Sequence, residues 1–389
     1  MRFLKTGFVY PLEIHYLSPM QNYDVIVLGA GINGCGIAEN LAGSGKKVLL
    51  LDKEGVGQGT SSKSSRLIHG GLRYLETGQI HLVYEALHDR QRLIAKYPDL
   101  VQARRFILPI YKSSPRPAWM IRMGLWMYDM LAGSRKVGHS KTEDISAFKA
   151  KFPAFIDDDL RSVLSYVDAK TNDKELTRRV ADDFQDLGGT VMVHCDIESI
   201  DWDEAGFNLH SSTGDFSAPI LVNATGPWLN EVNEKFNLPA RFQIRKVSGI
   251  HLIFDGLIVP DLMFMQTKEK RIFFIIPEPE NDQTLIGTTE REEDCDMDDV
   301  DAQESDIQYL LDQVNAYLKP DHQFQRKDVR DIYIGVRPLV RRKGDVTDVS
   351  REYKLDLHTK GETKLLHIFG GKLTTYLSLA ENVADVLKI

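Results

Sequence analysis

Three glycines, Gly29, Gly31 and Gly34, follow one another in the spacing G-x-G-x-x-G, and Asp52 stands about twenty residues further on. Each position suits one task in binding a dinucleotide. The first glycine allows a tight turn, the second lets the backbone approach a pyrophosphate, and the third lets a helix pack closely on a strand. A carboxylate placed like that of Asp52 can accept a hydrogen bond from a ribose hydroxyl. The spacing therefore predicts a dinucleotide-binding turn.

The residues around the glycines predict the strand–helix–strand unit that this chemistry needs. Val25–Leu28 is an apolar run whose length and β-branched content are typical of a buried parallel strand. Ile37 and Leu41 follow with helical spacing, and a second apolar run, Val48–Leu51, leads into Asp52. The start of the helix would offer N–H groups and a positive dipole end to phosphates. The alternative is an ordinary βαβ unit that happens to have glycines in its turn.

Three more segments contain small residues and lie next to predicted strands. A loop rich in glycine and serine spans 55–76, and loops of this composition often wrap a ligand. NATGPW at 223–228 follows a buried strand, and FGGK at 369–372 follows another. Ligands in parallel sheets bind at the carboxyl ends of the strands, so these turns and the glycine turn are expected at one site.

Composition and charge narrow the class of protein. The chain has 389 residues, of which 42% are hydrophobic and 27% charged, which is typical of a globular protein. Its net charge of −8 argues against a nucleic-acid partner. The three cysteines are far apart, which favours a reduced, cytoplasmic protein without a cysteine-built metal site. No apolar run approaches the roughly 18 residues that span a bilayer, and residues 1–19 lack the pattern of a signal peptide.

The order of the predicted elements indicates two domains that are interleaved in the sequence. Residues 20–85, 160–235 and 330–389 are assigned to a nucleotide-binding domain. Residues 86–159 and 236–329 are assigned to a substrate or cap domain, because short alternating strands dominate from 242 to 286. Residues 1–19 are expected to be an N-terminal extension before a native start at Met20.

Four blocks together resemble one family: GAGINGCGIA at 29–38, TSSKSSRLIHGGLRYLE at 60–76, NATGPW at 223–228, and GVRPL with FGGKLTTY at 335–339 and 369–376. From about Tyr23 to its end the chain is similar to the FAD-dependent glycerol-3-phosphate dehydrogenases of the membrane-associated, respiratory type. The resemblance implies an α/β fold (α+β overall) like that of glutathione reductase and D-amino-acid oxidase. In this fold a Rossmann domain holds FAD noncovalently and an antiparallel-sheet substrate domain is inserted into it.

The resemblance also implies the reaction and the residues that hold the cofactor. The reaction is oxidation of sn-glycerol 3-phosphate to dihydroxyacetone phosphate by hydride transfer to FAD, with quinone or another acceptor receiving the electrons. The implied cofactor-binding residues are Gly29, Gly31, Asn33, Gly34, Asp52, Lys53, Thr60, Ser61, Ser62, Ser65, Arg66, Leu67, Ala224, Thr225, Gly226, Gly371, Lys372, Leu373 and Thr374.

A phosphorylated substrate needs cations, and the same resemblance supplies the candidates. The implied substrate-binding residues are Arg73, Tyr74, Arg271, Arg337, Arg351 and Lys372, and the implied catalytic residues are His69, His251, Arg337 and Lys372. Arginine suits a phosphate through its planar fork and permanent charge. An imidazole titrates near working pH, so either histidine is a candidate for the base that takes the hydroxyl proton. The structural alternatives are salt bridges for the cations and satisfied buried hydrogen bonds for the histidines.

The segment 116–131, with Trp119, Trp126, Tyr128 and four methionines, predicts a helix that either lies in a membrane interface or is buried between domains. We therefore expect a cytoplasmic protein with an optional peripheral contact at the inner face of the cytoplasmic membrane. A homodimer remains open.

Two departures from the family pattern stand out. Ser248 and Ile250 occupy positions where members commonly have lysine and serine, just before His251. The chain also ends at Ile389, whereas members usually continue into a helical C-terminal domain, so we expect a short form.

Two rival functions are left open by the sequence. The first is an FAD-dependent oxidase or dehydrogenase of an amino acid or hydroxy acid, which would need only one arginine for a carboxylate. The second is a non-catalytic FAD-binding subunit.

Overall fold

The computed structural model describes residues 20–135, 137–342, 349–350 and 352–389. The predicted N-terminal extension and Arg351 lie outside these residues.

The α-helices in the described part are Ile32–Gly43 (α1), Ile80–Lys96 (α2), Ala118–Ala132 (α3), Ile145–Lys151 (α4), Asp173–Asp186 (α5), Leu229–Lys235 (α6), Glu304–Asn315 (α7) and Tyr376–Leu387 (α8). The strands are Gln21–Asn22 (β1), Val25–Leu28 (β2), Val48–Leu51 (β3), Leu67–Ile68 (β4), Gln102–Tyr111 (β5), Lys141–Glu143 (β6), Leu160–Lys170 (β7), Thr190–Met192 (β8), Ile197–Trp202 (β9), Phe207–Ser211 (β10), Gly214–Ala218 (β11), Ile220–Asn223 (β12), Phe242–Asp255 (β13), Leu262–Gln266 (β14), Ile272–Glu278 (β15), Gln283–Gly287 (β16), Arg291–Glu293 (β17), Asp331–Arg342 (β18), Val349–Ser350 (β19), Lys354–Lys360 (β20) and Thr363–Phe369 (β21).

A six-stranded sheet in the order β20-β21-β12-β2-β3-β8 holds the glycine turn. Its strands are parallel from β21 to β8, and β20 adds an antiparallel edge. All residues of β2 and β3 are buried, which agrees with the apolar runs that predicted them. One face packs against α1, α5 and α8, and the other packs against a four-stranded sheet of β1, β11, β10 and β9. This is the α/β fold that the sequence predicts.

A second, larger sheet runs in the order β19-β18-β13-β16-β15-β14-β5-β7-β4, with β6 and β17 paired at its sides. Antiparallel pairs dominate it, as expected for the inserted sheet, although β14 and β5 are parallel. The β13–β18 pair sets His251 opposite Tyr333, Gly249 opposite Gly335, and Val247 opposite Arg337. Because side chains alternate between the faces of a strand, this register places His251 and Arg337 on one face of the sheet.

Two strands belong to a different sheet from the one implied by the predicted boundaries at 160 and 330. We assigned Leu160–Lys170 and Asp331–Arg342 to the nucleotide-binding domain, whereas both pair within the larger sheet. The apolar pattern of a strand reveals its faces but not its partner, so the sequence did not indicate which sheet these two strands join. The division into two domains remains a prediction.

Candidate active site and cofactor cleft

A cavity of about 1150 Å³ opens where β2, β3, β12 and β21 end. Gly29, Asp52, Thr225 and Gly371 line it at these strand ends. It continues to the larger sheet, where Gly249, His251, Gly335 and Arg337 line it as well. Ligand pockets commonly have ~300–1,000 Å³, so this cavity can hold a dinucleotide together with a small substrate.

The glycine turn is shaped as the motif requires. Gly29 has φ of +97°, and a Cβ on it would lie 2.7 Å from the carbonyl oxygen of Ala224. A side chain there would strain the backbone and collide with the neighbouring strand end. Gly34 does not line the cavity but touches the Gly29 backbone closely, in agreement with a packing role. Gly29 and Gly31 thus face the cavity, and Gly34 holds the helix against the strand.

The Asp52 carboxylate organises the turn directly. It accepts hydrogen bonds from the backbone N–H groups of Ala30 (2.7 Å), Glu54 (2.8 Å) and Gly55 (2.9 Å). These bonds tie the end of β3 to the glycine turn, a role that the motif alone did not reveal. Asp52 still lines the cavity, so its predicted contact with a ribose hydroxyl remains compatible with its position.

The serine-rich loop meets the glycine turn at the start of α1. Ser61 Oγ accepts from the N–H of Ile32 at 2.9 Å, and the Thr60 hydroxyl donates to the carbonyl of Val336 at 2.7 Å. The loop therefore spans from the first helix to β18. Ser62 is turned towards the carbonyl of Gly59, and Arg66 forms an ion pair with the buried Glu278. Neither Ser62 nor Arg66 lines the cavity, in contrast to their predicted contact with the cofactor.

The glycine turn at Gly370 and Gly371, which follows β21, contacts the start of α1. Gly370 and Gly371 have φ of +81° and +96°, and the Asn33 amide donates to the Gly370 carbonyl at 3.2 Å. Asn33 Oδ1 is buried and has no hydrogen-bond partner within the described residues. Lys372 Nζ lies 4.3 Å from the centre of the Tyr74 ring. A short 3₁₀ turn, Leu373–Thr375, lies between this glycine turn and α8.

FAD fits these residues. Gly29 and Gly371 line the cavity at points where a side chain would collide with neighbouring residues, and Asn33, whose side-chain oxygen has no partner in the described residues, lines it at the start of α1. The start of α1 and the serine loop would hold the pyrophosphate. The residues from Gly371 to Thr374 would hold the opposite end of the cofactor.

Arg337 is held at the end of the cavity formed by the larger sheet. Its guanidinium donates to the carbonyl of Thr289 (3.2 Å) and to the hydroxyl of Thr288 (3.0 Å). Gly249 provides the space, because a Cβ there would lie 2.8 Å from Arg337 Nη2. The strand pairing, the threonines and the glycine together fix the direction of this cation.

His251 is fully buried against the ring of Tyr333, with the ring centres 4.7 Å apart. Its Nε2 lies 2.9 Å from Ser65 Oγ, and its Nδ1 has no hydrogen-bond partner in the described part of the chain. Burial, with the charges of Arg337 and Arg66, lowers the pKa of His251 to about 3. The imidazole is therefore neutral at ordinary working pH, and its buried Nδ1 has a hydrogen-bonding capacity that no described residue uses.

This low pKa predicts a pH-dependent stability. An unfolded histidine takes up a proton below about pH 6.5, whereas folded His251 does so only near pH 3, so the folded state loses stability as the pH falls between these values. The His251→Gln variant lacks this loss. Between pH 7 and pH 5 the free energy of unfolding of the wild type should fall by about 2 kcal/mol more than that of the variant.

Urea denaturation at the two pH values measures this difference. His322→Gln, at an exposed position, is the matched control and should follow the wild type. Equal pH dependence in His251→Gln and the wild type would contradict a neutral, buried His251.

His69 has a different hydrogen-bonding state. Its ring Nδ1 accepts from the backbone N–H of Gly71 at 3.1 Å, and its backbone N–H donates to the Thr374 hydroxyl at 3.3 Å. With Nδ1 accepting, the neutral ring carries its proton on Nε2. In this tautomer the ring offers a donor at Nε2, and the catalytic role of His69 remains a prediction.

Most of the predicted site residues are brought together. The predicted residues that line the cavity are Gly29, Gly31, Asn33, Asp52, Lys53, Thr60, Ser61, Ser65, Leu67, His69, Arg73, Tyr74, Ala224, Thr225, Gly226, His251, Arg337, Gly371, Lys372, Leu373 and Thr374. Arg271 is exposed beside the start of β15 and does not line it. Arg351 lies outside the described residues.

The sequence analysis missed part of the cavity wall. Tyr166, Phe264 and Phe274 line it from the larger sheet, and Thr288 lines it where β16 ends. Buried aromatic residues in strands look like core residues, so no sequence signal distinguished them. Thr288 follows a strand and a glycine, which was the signal that could have been used.

Comparison with known proteins gives the family. The pattern of the family described as FAD dependent oxidoreductase matches residues 24–379. A D-erythritol 1-phosphate dehydrogenase from Brucella abortus is 37% identical, over 94% of this chain and 73% of the relative. A glycerol-3-phosphate dehydrogenase from Pseudomonas aeruginosa is 38% identical, over 94% and 72%.

The fold has solved counterparts. The glycerol-3-phosphate dehydrogenase from Bacillus halodurans, complexed with FAD, superposes with a TM-score of 0.73 at 23% identity, covering 96% of this chain and 66% of that one. The chain thus spans about two thirds to three quarters of the length of these proteins. The chain belongs to the FAD-dependent oxidoreductases, an enzyme family with FAD as its cofactor, and within it to the group of the glycerol-3-phosphate dehydrogenases and their relatives.

Proposed function

We propose that this enzyme oxidises sn-glycerol 3-phosphate to dihydroxyacetone phosphate. The observation that carries the proposal is that Arg73, Arg337 and Lys372 line the same cavity as the dinucleotide turn. A phosphate close to its dianionic form requires such cations, whereas a neutral polyol does not. The names of the curated relatives point to the same class of substrate, a phosphorylated polyol.

Each residue then has a definite task. FAD, held by the glycine turn and by the residues from Gly371 to Thr374, would supply the acceptor for the hydride on C2 of the substrate. Arg337 and Lys372 bind the phosphate, and the bonds from Arg337 to Thr288 and Thr289 keep its guanidinium in one direction. His251 takes the proton of the C2 hydroxyl, because its ring is neutral and its Nδ1 has no partner in the described residues. The negative phosphate would also oppose the positive charges that lower the pKa of His251.

A second candidate substrate is D-erythritol 1-phosphate, the compound in the name of the Brucella abortus relative. It carries the same phosphate on a longer polyol. Anaerobic mixing of the yellow enzyme with each phosphate, followed at the flavin absorbance, compares the two. Faster bleaching by glycerol 3-phosphate supports the proposal, and faster bleaching by erythritol 1-phosphate assigns the longer substrate instead. Bleaching by an amino acid or hydroxy acid alone would favour the oxidase alternative.

We also propose a peripheral membrane contact through α3. Trp119 and Trp126 are each 62% exposed, and the exposed residues Met120, Met123 and Met130 lie on the same helix. Exposed apolar patches of this kind mark interaction sites, and tryptophan suits the membrane interface. None of the helices in the described part of the chain has the length and apolar character needed to cross a bilayer. Electrons would leave to a quinone or another acceptor at this surface.

Replacing Trp119 and Trp126 with serine should lower cosedimentation with anionic vesicles several-fold, because each exposed indole would otherwise enter the interface. The melting temperature should stay unchanged, since both side chains are exposed. Leu187→Ser with Leu257→Ser, at two other exposed apolar positions, is the control and should bind like the wild type. A lower melting temperature with unchanged vesicle binding would show that this helix face does not contact membranes.

A further inference from the structure

A buried polar network lies beside the cavity without lining it. Arg90 of α2 forms an ion pair with Asp168 of β7, and the two side chains are only 2% and 1% exposed. The hydroxyl of Tyr128, on α3, lies 2.7 Å from both carboxylate oxygens of Asp168. Polar groups are rarely buried to this extent unless each has its partners. The network therefore joins two helices and a strand at one fixed point.

The Tyr128 hydroxyl has a second partner. It accepts the N–H of Gly70 at 2.8 Å, in a fully buried position. A hydroxyl carries one proton, and Asp168, paired with Arg90, can only accept. The proton of Tyr128 therefore goes to Asp168, which leaves the oxygen lone pair to Gly70. Burial and the neighbouring Asp168 raise the pKa of Tyr128 well above its ordinary value, so the hydroxyl keeps its proton.

Gly70 is the first link to the cavity. A Cβ on Gly70 would lie 2.5 Å from the Tyr128 hydroxyl, so the backbone sits directly on it. The next residue, Gly71, donates to His69 Nδ1 at 3.1 Å and accepts from the N–H of Tyr74 at 2.8 Å. The Tyr74 ring in turn lies beneath Lys372. One backbone segment thus carries three of the predicted site residues, His69, Arg73 and Tyr74.

We propose that Tyr128 is a positioning residue, which holds the segment 69–74 so that its side chains meet the substrate in the cavity. The hydroxyl group holds the segment in place, because it is the buried hydrogen-bond acceptor for the N–H of Gly70. The kinetic consequence rests on the proposed function, whereas the hold on the segment does not. Small displacements of groups around a substrate can cost about 100-fold in rate, although the displaced residue touches nothing that reacts.

Tyr128→Phe removes the hydroxyl and keeps the ring. In this variant the amides of 69–74 should exchange with deuterium faster than in the wild type, because the Gly70 N–H has lost its acceptor. With the phosphorylated polyol, kcat/KM should fall roughly 10- to 100-fold, while the FAD content remains unchanged. Tyr97→Phe is the matched control, since it also loses a buried hydroxyl bonded to an aspartate, Asp183 at 2.6 Å, but it does so away from this segment. Its exchange at 69–74 and its kcat/KM should equal those of the wild type.

The two measurements separate this proposal from the proposed function. If the wild type oxidises no phosphorylated polyol, the proposed function fails, and the exchange data alone judge Tyr128. Wild-type exchange at 69–74 in Tyr128→Phe would overturn the proposal in either case. Faster exchange with unchanged kcat/KM, or an equal loss of kcat/KM in Tyr97→Phe, would also overturn it, because Tyr128 would then support the fold and not the reaction.

Discussion

Gly31→Trp should give a folded but colourless protein. Gly31 is the N-cap residue just before α1 and lines the cavity, and a Cβ at this position would already lie 3.2 Å from Ser61 Oγ. The indole has only the cavity to enter, where it would occupy the space that the pyrophosphate needs. The backbone of Gly31 has φ of −74°, which tryptophan can adopt, so the fold itself should survive. Visible absorbance and the FAD released on denaturation measure the loss.

Gly43→Trp is the matched control for this variant. Gly43 ends the same helix at an exposed position, and a Cβ there meets only Leu187, at 3.8 Å. This control should be as yellow as the wild type. A yellow Gly31→Trp with normal FAD content would mean that the cofactor does not lie on the glycine turn.

Arg337→Ala should lower kcat/KM for glycerol 3-phosphate by about 30-fold to several thousand-fold. Truncating one partner of a buried charged pair costs ~2–5 kcal/mol, and each ~1.4 kcal/mol is tenfold. The visible spectrum of bound FAD should remain intact, because Arg337 is assigned to the substrate. Arg337→Lys should recover only part of the loss, since a single ammonium cannot reproduce the planar guanidinium held by Thr288 and Thr289.

Arg330→Ala provides the comparison for Arg337. Arg330 lies just before β18 and forms an exposed ion pair with Asp255, at 2.6 Å, so its loss should change kcat/KM little. Arg337→Ala with wild-type kcat/KM, or a loss no larger than that of Arg330→Ala, would remove Arg337 from the substrate site.

The elements nearest the cofactor could be predicted because their sequence carries the constraint itself. The runs Val25–Leu28 and Val48–Leu51 are apolar on both faces, as strands buried on both sides must be, and both are strands in the structure. Gly29 requires a positive φ and close packing, which only glycine supplies readily. His251 and Arg337 were joined only by the family resemblance. The register of β13 and β18, which brings them to one face, was not readable from the sequence.

The differences between the predicted site and the cavity lining concern side-chain direction and long-range pairing. Arg66 and Ser62 lie in the predicted loop, but Arg66 pairs with Glu278, more than two hundred residues away, and Ser62 turns back on its own loop. Arg271 is exposed beside a strand whose next residues do line the cavity. No local pattern specifies which member of a loop points inward. The network of Tyr128, Asp168 and Arg90 could not be predicted either, because no local pattern shows which side chains of distant elements meet.

The most direct test of the substrate assignment is anaerobic reduction of the FAD-bound enzyme by glycerol 3-phosphate and by glycerol at equal concentration. The two compounds share the polyol carbons and differ in the phosphate that Arg337 and Lys372 are proposed to bind. Glycerol 3-phosphate should bleach the flavin and glycerol should not measurably do so. Equal bleaching by both compounds would contradict a phosphate site in this cavity, and bleaching by neither would contradict the proposed reaction.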